Sequence, residues 1–152
     1  MDRLFEICGW MLLTALWVFT IAGFSDLPAI IPRHYNAGGV PDGFGPRAML
    51  FILPCIVTVL FTGLTVLSRY PHIFNYPVSI TNENAQKQYC YATRFLRYLK
   101  CILVVIFGLI VLQTMQTSKG QAMGLGLWFL PLVPALIFIP LVYFVILSRR
   151  KK

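Results

Sequence analysis

Asp26-Leu-Pro-Ala-Ile-Ile-Pro-Arg33-His34-Tyr35-Asn36-Ala-Gly-Gly39-Val-Pro-Asp42-Gly-Phe-Gly45-Pro-Arg47 is the stretch on which the reading of this chain turns. Its four prolines and four glycines forbid a regular helix or a central strand. It lies between two long apolar runs and holds nearly all of the chain's unusual polar chemistry. The rest of the sequence reads as membrane anchoring for this loop, with one basic helix on the opposite face of the bilayer.

Composition supports that division. With 58% hydrophobic residues, 12% charged and a mean hydropathy of +0.74, the chain has far more apolar surface than 152 residues could bury in water. Soluble domains carry about 25% charged residues. The net charge of +8 would suggest nucleic acid in a soluble chain. Here, however, the basic residues cluster at the ends of apolar runs, where they set topology, and nucleic acid is not an expected partner. The expected fold is an all-α integral membrane protein, a single domain over residues 1–152. It is a four-helix transmembrane bundle with a structured extracytoplasmic loop between its first two helices and a long third helix extending into the cytoplasm. Crossings are expected at about 4–24, 48–68, 95–115 and 124–147, with the outer loop at 25–47 and a cytoplasmic connection at 69–94.

The first run is too long for a signal-peptide core and lacks a clear cleavage site, so it reads as a retained helix. Glu6, one turn from Arg3, is explained by an i,i+3 pair at the interface, with a carboxylate facing the bundle interior as the alternative. The second run carries Pro54 in its first third and should kink there. After it, Tyr70-Pro71-His72 and Tyr76-Pro77 break any helix along the membrane surface. Thr81 or Asn82 can then cap a third helix of about 35 residues, ~50 Å at 1.5 Å per residue, with Arg97 and Lys100 snorkelling to the headgroups. A polar turn is expected over 113–123. Gly120 and Gly124 read as part of it rather than as a helix-packing motif. Pro131, Pro134 and Pro140 predict a bent or locally broken fourth helix.

Of the thirteen Lys and Arg residues, ten fall on the faces that become cytoplasmic if the N-terminus is inside. The positive-inside rule therefore places both termini in the cytoplasm and the loop outside, in a multi-pass protein of a bacterial inner membrane. The basic tail and middle helix could also meet anionic lipid headgroups, though a topology signal accounts for them. Cys8, Cys55, Cys90 and Cys101 show no spacing typical of zinc or of a disulfide framework and read as small hydrophobes.

Within the outer loop, Asp26, His34, Asn36 and Asp42 supply two carboxylates, an imidazole and an amide. Two readings stand. In one, Asn36 and Asp42 cap turns and His34 bonds backbone, making a rigid lid. In the other, His34 with Asp42 or Asp26 forms a ligand or metal site, Asp42 serving as ligand or as the acceptor that fixes the imidazole tautomer. No metal or other cofactor can be named from the pattern.

The segment Ile31-Pro32-Arg33-His34-Tyr35-Asn36-Ala37-Gly38-Gly39-Val40-Pro41-Asp42-Gly43-Phe44-Gly45 resembles the Ile-Pro-x-His-Phe-Asn-x-x-Gly-x-Pro-Asp-x-x-Gly signature of a bacterial membrane domain of unknown function. That domain occurs at the front of SdpI-type immunity proteins. Leu53-Pro54 resembles its continuation, and so do Tyr76-Pro77, Thr81-Asn82-Glu83-Asn84-Ala85 and Tyr89. Tyr35 stands for the commoner Phe and Arg47 for Lys, and SdpI-type proteins add further helices beyond four. The resemblance implies His34, Asn36, Gly39, Asp42 and Gly45 as ligand-binding positions, without a catalytic residue. It also implies protection against a secreted membrane-active toxin peptide, with retention of a repressor at the membrane as a signalling role. The leading expectation is thus a non-enzymatic membrane protein whose outward loop recognises a toxin peptide or another membrane protein. A small transporter or channel subunit, which would have to work as a homo-oligomer, and a membrane metalloenzyme built on His34 with Asp26 or Asp42 are the alternatives.

Overall fold

A computed structural model describes residues 2–150. Four helices are long and apolar enough to cross a membrane. They are α1 (Asp2–Phe24), α2 (Ile52–Leu67, entered through a 3-10 turn over Arg47–Phe51), α3 (Ala85–Ser118) and α4 (Phe129–Arg150). Between α1 and α2 the chain forms an antiparallel hairpin of β1 (Ile30–Tyr35) and β2 (Pro41–Pro46). Lys151 and Lys152 of the basic tail lie outside the described residues.

The loop between the first two spans, expected to hold neither a regular helix nor a central strand, is a two-stranded ribbon. The prolines permit this because a two-stranded ribbon has no central strand: each strand turns one edge away from its partner, and a residue without N–H costs nothing there. Pro54 also behaves differently from expectation. The 3-10 turn delivers the chain so that Pro54 falls in the first turn of α2, where backbone N–H groups have no intrahelical partner, and the missing donor breaks no ladder bond.

The third helix runs for 34 residues, close to its expected length. At its start, Thr81 and Asn84 cap each other: Thr81 N–H donates to Asn84 Oδ1 (2.9 Å), and Asn84 N–H donates to Thr81 Oγ1 (3.4 Å). The polar turn expected from 113 begins only after Ser118. Nothing between Gln113 and Ser118 breaks a helix, and Gly120, at φ +72°, supplies the left-handed residue that does. Gly120 N–H then bonds Thr117 O (3.1 Å) and Gln121 N–H bonds Gln116 O (2.8 Å), closing the helix end. The fourth helix starts at Phe129, later than expected, because Gly124 and Gly126 hold positive φ and keep the preceding segment in turns. It continues unbroken through Pro134 and Pro140.

The core lies where α1, α2, α3 and the hairpin base meet. Leu13, Leu16, Ile31, Leu50, Val57, Phe61, Val104 and Val111 are buried together there. Trp17 Nε1 donates to Thr58 Oγ1 (3.0 Å) across the α1–α2 seam. The fourth helix packs on α3, with the Phe95 and Phe144 rings stacked at 5.3 Å. Around this core Val59, Ile139 and Val18 stay more than 60% exposed. A soluble surface would not carry such a belt, whereas a bilayer covers it.

Candidate functional site

The hairpin register generates the site. Pro32 pairs with Phe44, His34 with Gly43 and Tyr35 with Pro41, so the ladder skips Arg33 on one strand and Asp42 on the other. Two consecutive bulges, one per strand, change where these side chains point. They bring His34 Nδ1 to 2.5 Å from Asp42 Oδ1. A carboxylate can only accept, so the proton of this bond sits on Nδ1, and Nε2 becomes the nitrogen available to a ligand. The His34 side chain is 70% exposed and that of Asp42 43%. Arg33, His34, Asp42 and Gly43 together line an open depression of about 420 Å³.

Three fastenings hold the ribbon. At its base, Arg47 N–H bonds Ala29 O (2.9 Å), its guanidinium donates to Leu27 O (3.2 Å), and the same group lies 4.9 Å above the Phe24 ring. In its middle, Tyr35 Oη and Thr114 Oγ1 share a 2.9 Å hydrogen bond, and burial pushes the Tyr35 phenol above its usual pKa. At its tip, Asn36 Oδ1 accepts from Gly38 N–H (2.9 Å) and Val40 N–H (3.1 Å), while Gly39 turns with φ +75°. Gly39 O then accepts from Leu125 N–H (2.8 Å), seating the tip on the turn that joins α3 to α4.

Each site residue expected from the sequence thus has a distinct place. His34 and Asp42 meet. Asn36 builds the turn, and Gly39 forms its docking point. Gly45 leaves room for Met49 and Arg33, since a Cβ there would fall 2.6 Å from Met49 Sδ and 3.1 Å from Arg33 Cδ. Asp26 lies apart, 3.4 Å from Lys119 Nζ, so the expected alternative of a His34–Asp26 site does not form. Among the described residues no three His, Cys, Asp or Glu side chains converge as a metal site would require. Arg33 was not singled out, although its place directly before His34 in a short polar loop marks it as a neighbour.

A second polar cluster corrects the sequence reading more deeply. Lys100 does not reach for the headgroups; it is 1% exposed inside the bundle. Its Nζ donates to Glu6 Oε1 (2.6 Å) and Thr65 Oγ1 (2.8 Å) and lies 4.5 Å from the centre of the Phe61 ring. Glu6 thus pairs across helices rather than with Arg3, and Arg97 Nε stands 4.0 Å from its other oxygen. One ammonium ties α1, α2 and α3 together. A sequence signal for this existed: Glu6 is one of five acidic residues, it lies in an apolar run, and the basic residues ahead of the third run fall on the same side of the bilayer.

Four spans and a fastened polar ribbon define a multi-pass membrane protein with one structured loop beyond its helices. The family described as Domain of unknown function (DUF1648) matches residues 11–58, from within α1 through the hairpin into α2. An uncharacterized protein of Archaeoglobus fulgidus is 37% identical over 75 residues, covering 44% of this chain and 41% of the relative. The chain therefore matches less than half the length of that protein. Similar sequence is thus present in an archaeon as well as in the bacteria that the loop signature suggests. No solved structure matches the chain.

Proposed function

We propose that this is a non-enzymatic membrane protein that displays the hairpin on the outer face of a cytoplasmic membrane to recognise a peptide partner, in the manner of an SdpI-like immunity protein. The observation that carries this reading is the exposed His34–Asp42 pair on a ribbon fastened at base, middle and tip. A preformed site loses little conformational entropy on binding, which favours recognition. Arg33 lines the same depression and adds a fixed positive charge to it, so the depression suits a carboxylate of the partner. The positive-inside count supports this orientation, with both termini inside, and does so even when the buried Lys100 is left out, at nine residues against three.

The test is survival of cells exposed to a membrane-active toxin peptide. Cells expressing the chain should outlive controls, and His34→Ala or Asp42→Ala should remove the advantage at unchanged membrane levels by immunoblot. Protection that persists in both variants would overturn the reading, as would its absence in the parent.

The Glu6–Lys100–Thr65 cluster favours a second reading as a small transporter or channel subunit, since charge held inside a bundle marks many ion and solute pathways. Flux through vesicles reconstituted with the purified chain, abolished by Lys100→Met, would establish it. A tight vesicle would remove it.

A further inference from the structure

At the end of the bundle opposite the hairpin tip, α4 packs chiefly on α3 and leaves a groove of about 780 Å³ between α3, α4 and the start of α1. That volume falls within the range of about 300–1,000 Å³ typical of sites that hold small molecules. Its walls have two characters. Phe5, Phe95, Ile139 and Phe144 give an apolar interior, closed by the Phe95–Phe144 stack. Arg94, Tyr98 and Tyr143 add polar groups to the same lining, side chains of the kind that sit at the headgroup level of a bilayer. Arg97 is three residues beyond Arg94 on α3, and Arg149 and Arg150 occupy the last turn of α4, just past the lining residue Leu147.

We infer that this groove is a binding site for one acidic phospholipid, whose acyl chain lies against the aromatic interior while its phosphate meets the arginines at the open end. Charge complementarity selects this occupant. Arg94 lines the groove and Arg149 and Arg150 end the helix that forms its other wall, and guanidinium groups match phosphate oxygens in a planar, bidentate way that a zwitterionic headgroup partly offsets with its own cation. The interior selects for a chain: it is bounded by flat rings and β-branched or proline side chains that offer no hydrogen bond. A basic residue near an anionic lipid surface is worth about fivefold in affinity, so loss of one arginine should be measurable.

Native mass spectrometry of the detergent-purified full chain, supplied with equal amounts of dioleoyl phosphatidylglycerol and dioleoyl phosphatidylcholine, tests the site. The parent should retain one phosphatidylglycerol in preference to phosphatidylcholine. Arg94→Gln should reduce that adduct about fivefold. Ile139→Trp, placed at an exposed position on the groove wall, should abolish it by filling the space. Equal retention of the two lipids by the parent overturns the inference, and that comparison stands whether or not a variant folds. An adduct undiminished by Arg94→Gln, or one retained by Ile139→Trp, in a variant with parental circular dichroism also overturns it, as does a dimer that carries no lipid.

Discussion

Lys100 shows how one side chain can contradict a sound rule. Long basic residues near the end of an apolar run usually snorkel, because the charge then stays in water. Lys100 turns inward instead because Glu6, Thr65 and the face of Phe61 together replace its hydration. The two partners of this pair are unequal. Glu6 keeps 31% side-chain exposure and has Arg97 nearby, whereas Lys100 keeps 1%. Removing one partner of a buried pair costs about 3–5 kcal/mol, while replacing both can be close to neutral. Glu6→Gln, which leaves an ammonium buried, should therefore cost about 3 kcal/mol. Lys100→Met, which leaves a partly hydrated carboxylate, should cost about 2 kcal/mol. The double variant should lose less than the sum. Thermal unfolding of the four proteins in one detergent measures the cycle, and strict additivity would show that the pair is not coupled.

At the scale of elements, a backbone hydrogen bond joins the hairpin to the α3–α4 turn. Gly124, at φ +136°, passes so close to the tip that a Cβ on it would collide with Gly39 O. Gly124→Ala should therefore unseat the tip and break the bond from Leu125 N–H to Gly39 O, while the spans stay folded. Faster hydrogen exchange at Leu125 and new protease cleavage between residues 36 and 40, with helicity unchanged, are the expected outcome. Parental protection of Leu125 would show that the turn accommodates the methyl group. This docking was not legible in the sequence. Glycines at 39, 124 and 126 announce turns, but nothing one-dimensional says that two turns meet. The hairpin was equally hidden, since its prolines argue against strands and its bulges erase the alternation that marks them. The four spans were legible because unbroken apolar length is itself the physical requirement for crossing a bilayer. α3 ends later than its polar residues Gln113, Thr114 and Thr117 suggest, because polarity does not stop a helix and Gly120 supplies the conformation that does.

For the molecule as a whole, the orientation of the spans decides which face does what. The hairpin and the 119–128 turn share one end, while the Thr81–Asn84 cap, Arg94 and the end of α4 share the other. With both termini inside, a thiol at Ala37 in a cysteine-free background should react with an impermeant maleimide in intact cells. One at Asn82 should react only after the cells are opened. Both positions are exposed in the fold, so accessibility to the reagent reports sidedness rather than burial. The reverse pattern would invert the molecule and place the His34–Asp42 pair in the cytosol.

The bond from Leu125 to Gly39 has a consequence for the order of synthesis. Its acceptor belongs to the first third of the chain and its donor to the last, so the ribosome delivers the ribbon long before its seat. Throughout translation of α2 and α3 the carbonyl of Gly39 must be satisfied by water, and the hairpin end of the molecule reaches its final form only when the last turn is in place.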